Sequence, residues 1–209
     1  MKIFKNISIS KNYKNSILAI GNFDGLHIGH KKVLREAYKM AKKTKRKFGL
    51  LTFEPVPVMF FNKKIINHRL DLMSQKILNL KKEKLDFIII QKFNKKFSRL
   101  SYQDFIYKVL YKKIKCKYLY VSKNFKFGKK REGNVRKLKL SEKKFFYKTI
   151  VTSPLIQQQK TISSTMIRKL LKKGNLRKAN ILLDRKWEII GKVVKGSQRG
   201  RKLGFPTCN

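Results

Sequence analysis

Two of the chain's three histidines, His27 and His30, stand three residues apart around Ile28 and Gly29. At i and i+3 on the start of a helix, both rings can face one way. Placed there, they could donate hydrogen bonds to a phosphoryl group whose charge grows in a transition state. Two other readings compete. Zinc ligation lacks a third ligand at matching spacing, because His68 is isolated. Ordinary core or capping histidines are the bland alternative, and on the pair alone they weigh as much as phosphate binding. The preceding residues move the reading to phosphate. Ile17-Leu18-Ala19-Ile20 is a short apolar run that enters Gly21-Asn22-Phe23-Asp24-Gly25. A strand feeding a glycine-rich turn and a helix N-terminus is a ready phosphate site. Gly29, between the histidines, would let the backbone and a large ligand approach closely.

Two further stretches carry polar chemistry. Ile162-Ser163-Ser164-Thr165-Met166-Ile167-Arg168 opens a helix that Ser163 or Ser164 can cap. Its hydroxyls, its free N–H groups and Arg168 one turn in form a second anion-binding constellation. Asn124-Phe125-Lys126-Phe127-Gly128 leaves a strand's end in a glycine-marked loop, as the first turn does. Val58, Met59, Phe60 and Phe61, after the Glu54-Pro55-Val56-Pro57 stop, either pack a loop or offer a flat apolar surface. Packing is the favoured reading for them.

The elements that must position these residues alternate. Strands are expected at 16–23, 48–53, 85–91, 118–121 and 145–151, with helices at 29–45, 69–84, from 101, from 162 and at 175–183. Strand, turn, helix and strand within about forty residues form a βαβ unit, so the sheet should be parallel with a right-handed crossover. Residues 1–15 are polar and carry little signal. Glu188 to Val194 alternates like a strand, and a boundary is placed near 185.

The chain has 209 residues, 42% of them apolar, enough for one good-sized core. No run is long and apolar enough for a transmembrane helix, and the basic start has no signal-peptide pattern. Cys116 and Cys208 form no CxxC and no disulfide framework, so a reducing cytoplasm is expected. The charge of +43, from 54 Lys+Arg against 11 Asp+Glu, would attract any polyanion. The basic residues are mostly lysines spread along the whole chain, alongside abundant Asn, Ile and Phe. AT-rich codons produce that bias without nucleic-acid function, so no specific nucleic-acid partner is expected.

Gly21 to His30 resembles the HxGH signature of the nucleotidyltransferase superfamily, and more narrowly its form in the bifunctional riboflavin kinase/FMN adenylyltransferases (FAD synthetases) of prokaryotes. Thr52-Phe53-Glu54-Pro55, Asn124 to Gly128, Ile162 to Arg168 and Gly200 to Asn209 resemble that family's other motifs, in the same order. The resemblance implies a Rossmann-like adenylyltransferase domain over 1–185 and the first part of a β-barrel riboflavin kinase domain over 186–209. It implies transfer of AMP from ATP to FMN, giving FAD and pyrophosphate, with Mg2+ bridging phosphates and no direct protein ligand to the metal. His27 and His30 would be catalytic. Gly21, Asn22, Phe23, Asp24, Gly25, Gly29, Ser164, Thr165 and Arg168 would bind ATP, and Asn124, Phe125 and Phe127 would bind FMN. Thr207 and Asn209 would hold ATP and magnesium in the kinase. The kinase's acidic catalytic residue would lie downstream, so riboflavin would be a substrate of a longer form only. Val56, Gly133-Asn134, Asp184-Arg185-Lys186-Trp187 and Cys208 depart from the family's usual residues, and none of them touches the histidines.

Overall fold

The structure, a computed structural model, describes residues 1–205 apart from 66, 67, 158, 193 and 198, with Arg201 described by its backbone alone. Six strands form one parallel sheet: β1 (Lys2–Phe4), β2 (Ile17–Ile20), β3 (Phe48–Glu54), β4 (Phe87–Lys92), β5 (Tyr118–Ser122) and β6 (Lys148–Thr152). Their order is β1-β4-β3-β2-β5-β6. Helices cover both faces, as the Rossmann-like α/β expectation requires. Parallel strands covered on both faces need continuous apolar runs, and β2 is buried at all four positions. In β3, a Cβ on Gly49 would fall 2.1 Å from the Phe87 ring of β4, so the glycine makes room for that ring.

The strand order reverses at β2, with β3 and β4 on one side and β5 and β6 on the other. A crevice opens outside the carboxyl ends of strands at such a switch point. Helix α1 (Ile28–Thr44) covers one face, packing Leu34, Ala37 and Ala41 on Ile17, Ala19 and Leu50. On the other face lies a helix that starts at Tyr102–Asp104 and continues, wound as a π-helix, over Phe105–Ile114. The expected cap is present: Ser101 Oγ accepts from Asp104 N at 3.0 Å.

The structure departs from the sequence reading in four places. The apparently featureless N-terminus supplies the edge strand β1. A short helix, α2 (Pro57–Phe61), replaces the expected loop. The helix expected over 69–84 is α3 (Met73–Lys81), and it buries Gln75, Lys76 and Leu80. Its buried face includes the polar pair Gln75 and Lys76, because Lys76 finds acceptors inside. Finally, residues 188–192 form no strand, and no barrel exists among the described residues. An alternating segment becomes a strand only beside a partner, and none of the described strands lies against this one. Thr207 and Asn209 lie outside the described residues.

Two helices close the fold over the sheet's carboxyl edge. α4 (Ser164–Lys172) and α5 (Leu176–Leu183) bury Ile167, Ala179, Leu182 and Leu183 against Leu70, with Trp187 packed alongside.

Candidate active site

A cleft of about 970 Å³ opens at the carboxyl ends of β2, β3, β5 and β6, lined there by Ile20, Phe53, Ser122 and Thr152. Every residue expected at the adenylyl-transfer site lines it except Gly25. The N-termini of α1 and α4 both meet this cleft. Their free N–H groups and dipoles converge on one volume, which favours a ligand with several negative charges.

The turn after β2 is tight. Phe23, Gly25 and Leu26 take φ values of 45°, 80° and 41°. Left-handed backbone at two large residues costs of order 1 kcal/mol or more each, so the surroundings must enforce it. Phe23 and Leu26 are buried in the core beneath α1. The Asn22 carbonyl accepts from Lys76 Nζ at 2.6 Å and from Thr52 Oγ1 at 3.1 Å. Asp24 Oδ1 accepts from Leu70 N at 2.9 Å, and its Oδ2 receives Arg168 Nη2. Ser164 Oγ donates to the Asp24 carbonyl at 2.8 Å. Ser164 and Arg168 therefore both bind Asp24 and brace the turn. Gly25 is explained by packing: a Cβ there would sit 2.6 Å from Leu70 Cδ1, at a φ that side chains avoid.

His27 caps α1, its Nδ1 accepting from His30 N at 3.4 Å. An accepting Nδ1 leaves the proton of a neutral ring on Nε2. The two imidazoles stack with centroids 3.7 Å apart and planes 20° from parallel. Burial lowers the His27 pKa to about 4, against a smaller opposing pull from Asp24. His30 is held well below the ordinary range by burial first, then by His27 and Lys76. Both rings are thus neutral donors at neutral pH. Gly29 lines the cleft, and it also has a packing role beside His27. A Cβ there would stand 3.1 Å from the His27 ring, so the glycine admits the histidine before any ligand.

Sequence reasoning missed Lys76. It is 3% exposed, its pKa is lowered chiefly by burial, and it places a positive charge behind His30. A lone lysine in a lysine-rich chain gives no signal of this.

The opposite end of the cleft is aromatic. Phe53, Phe93 and Phe97 meet in tilted and edge-to-face contacts, and Phe61 joins them 5.8 Å from Phe93. Phe61 is 69% exposed and lines the cleft with Pro57 and Val58. The surface reading of this segment therefore gains over the packing reading that its sequence favours. Phe125 stacks on Phe127 at 5.5 Å, and Phe127 in turn packs on Phe105. Phe127 is buried, and Asn124 is exposed at the rim.

Exposed lysines occupy α1, at Lys42 and Lys43, and the helix on the opposite face of the sheet, at Lys112 and Lys113. Exposed positive charge therefore stands on both faces of the sheet. Among the described residues, no helix is long and apolar enough to cross a membrane, and no group of three or more His, Cys, Asp or Glu could hold a metal.

A Rossmann-like sheet, two helix N-termini aimed into its switch-point cleft and a His-x-Gly-His turn together define a nucleotidyltransferase. The chain belongs to the FAD synthetase family, whose model matches residues 9–166. The riboflavin kinase model matches residues 183–209. The bifunctional riboflavin kinase/FMN adenylyltransferase of Buchnera aphidicola from Schizaphis graminum is 41% identical over all of this chain and 68% of its own length. Its counterpart in Escherichia coli K12 is 33% identical over 92% of this chain and 62% of its own length. The chain thus spans about two thirds of these relatives. A crystal structure described as a macrolide-efflux protein from Streptococcus pneumoniae superposes with a TM-score of 0.80 at 26% identity, over 98% of this chain and 66% of that one.

Proposed function

We propose that this chain transfers AMP from ATP to FMN, giving FAD and pyrophosphate. The observation that carries the reading is the stacked pair of neutral imidazoles at the N-terminus of α1, in one cleft with the N-terminus of α4 and a phenylalanine-lined end. In this reading the FMN phosphate attacks the α-phosphorus of ATP, a P–O bond forms, and pyrophosphate leaves with the electrons of the broken bond. No group of the protein becomes covalently bonded. The Nε2–H of His27, set by its accepting Nδ1, donates to an α-phosphate oxygen, and His30 donates beside it. Thr165 and the open N–H groups of α4 hold the leaving pyrophosphate. Ser164, Asp24 and Arg168 keep the two helix ends in register. Catalysis is positioning plus charge stabilisation.

The flavin ring is proposed to lie against Phe61 and its neighbours, with Asn124 and Phe125 closing the rim and Phe127 supporting Phe125 from beneath. Magnesium would enter with ATP and would supply charge neutralisation at its phosphates. Among the described residues Asp24 is the single carboxylate lining the cleft, and Arg168 and the Leu70 amide already occupy it.

Residues 1–185 are proposed as the adenylyltransferase domain and 186–209 as the beginning of a riboflavin kinase domain, supported by the split between the two family matches. Phosphorylation of riboflavin is assigned to a protein carrying the rest of that module. The buried free thiol of Cys116 is consistent with a cytoplasmic location. The test is incubation with ATP, Mg2+ and FMN, following FAD and pyrophosphate. Loss of oxyanion donors costs roughly 100-fold or more in kcat, so His27→Ala with His30→Ala should abolish measurable turnover. Turnover unchanged in the double variant refutes the site. Salt-sensitive binding to nucleic acid without FAD formation would favour the polyanion alternative instead.

A further inference from the structure

We infer that Arg185 and Trp187, which fall within the riboflavin kinase match, are positioning residues for the nucleotide turn, so the working adenylyltransferase unit extends to Glu188. The inference rests on the nucleotide reading of the cleft, and its contacts stand independently of that reading. Arg185 Nη2 pairs with Asp71 Oδ1 and reaches the Gly25 carbonyl at 3.4 Å. Asp71 is 2% exposed, and its other oxygen accepts from Asn79 Nδ2 at 3.4 Å. Trp187 Nε1 donates to the Leu70 carbonyl at 3.0 Å, while its backbone N donates to Asn180 Oδ1 at 2.8 Å. Gln75 Nε2 donates to the Glu188 carbonyl at 3.0 Å.

Two of these bonds, Arg185 to Asp71 and Trp187 to Leu70, meet at neighbouring residues, and Leu70 in turn holds the turn. The Leu70 amide donates to Asp24 Oδ1, and Leu70 Cδ1 fills the space beside Gly25 that a side chain there would need. Leu70 is therefore held from both ends, by Asp24 at its amide and by Trp187 at its carbonyl. Arg185 touches the turn directly at Gly25, two residues before His27. The chain's course supports this placement. Asp184 takes the left-handed conformation at the end of α5, φ 54°, and is anchored by Lys31 of α1 at 2.8 Å. That reversal aims Arg185 back under the turn. A buried ion pair fixes one geometry more than it adds net stability, because both charges must be desolvated. Its consequence here is the placement of His27 relative to α4.

Arg185→Gln and Trp187→Phe in the 209-residue chain test this, with Arg185→Lys as the conservative variant and Val109→Ala, in the core on the far face of the sheet, as a destabilised control. Amide exchange is measured across 22–26 and 68–71 without ligand, and KM and kcat are measured with ATP, Mg2+ and FMN. Loss of a hydrogen bond to a charged group corresponds to roughly a tenfold change in an equilibrium. Arg185→Gln should therefore speed exchange in both segments about tenfold and raise KM for ATP by a similar factor, with kcat changed less than KM. Trp187→Phe should shift exchange in the same direction by less, Arg185→Lys should recover part of the effect, and Val109→Ala should leave 22–26 unchanged. Exchange at 22–26 that is unaltered in Arg185→Gln, or altered equally in Val109→Ala, overturns the inference. A wild-type chain that makes no FAD overturns the nucleotide reading alone, and the exchange results still decide the coupling.

Discussion

Asp24 and Arg168, separated by 144 positions in the chain, form an ion pair in which the Asp24 side chain is 5% exposed and that of Arg168 is 20% exposed. The pair ties the turn after β2 to α4, so the two helix ends that meet the cleft are joined directly. Removing one partner of such a pair costs about 3–5 kcal/mol, because a buried charge is left behind. Asparagine at 24 still accepts from the Leu70 amide, which puts Asp24→Asn near the lower end, about 3 kcal/mol. For a domain of this size, that corresponds to a Tm lower by roughly 10 °C. Calorimetry checks the stability, and FAD synthesis should show a raised KM for ATP.

Stability should fall on mild acidification. The His27 pKa drops from 6.5 to about 4 on folding, and His30 is shifted the same way. Between those values the unfolded chain binds more protons than the native one, so stability rises with pH across the window. The His27 contribution is intact above about pH 6.5, is lost progressively as pH falls toward 4, and amounts to about 3 kcal/mol. His30 adds loss of the same sign. Urea midpoints taken from about pH 7.5 down to 4.5 should decline, and His27→Gln should flatten the curve.

Lys76 separates stability from placement. Lys76 is buried and bonded to neutral oxygens, so an apolar side chain of similar length removes a desolvation cost without stranding an opposite charge. Lys76→Met also deprives the Asn22 carbonyl of its 2.6 Å donor and leaves it only Thr52. The variant should unfold within about 1 kcal/mol of the wild type, yet turn over roughly tenfold more slowly as the turn loosens. Parallel denaturation and FAD assays distinguish this from simple destabilisation.

Phe61 should matter to one substrate. It is 69% exposed, so its truncation removes little buried area. An aromatic contact to a planar ligand contributes about 0.5–1.5 kcal/mol. Phe61→Ala should therefore raise KM for FMN by roughly threefold to tenfold, with KM for ATP unchanged. Steady-state kinetics with each substrate varied in turn measure both values, and equal effects on the two would remove the flavin from this end of the cleft.

By itself the sequence determined the central strands, because each is a continuous apolar run that only a doubly covered parallel sheet can bury. It determined the strand–turn–helix around His27 and His30 and the Ser163 cap as well, because those features are local and their residue types state the backbone they need. Tertiary structure decided which groups line the cleft and which brace it. Asp24, Ser164 and Arg168 read alike as ligand contacts, and only the fold shows that Asp24 also bonds to both of the others. Lys76 looked like one more surface lysine until the Asn22 carbonyl and Thr52 gave it an interior partner. Phe53, Phe61, Phe93 and Phe97 form one wall, although three chain segments supply them. The three-residue edge strand at Lys2–Phe4 was too short to carry a period, whereas the alternation at 188–192 had a period but no strand to pair with. Such roles depend on which segments the sheet order brings together, and that order follows from burying the whole chain's apolar surface at once.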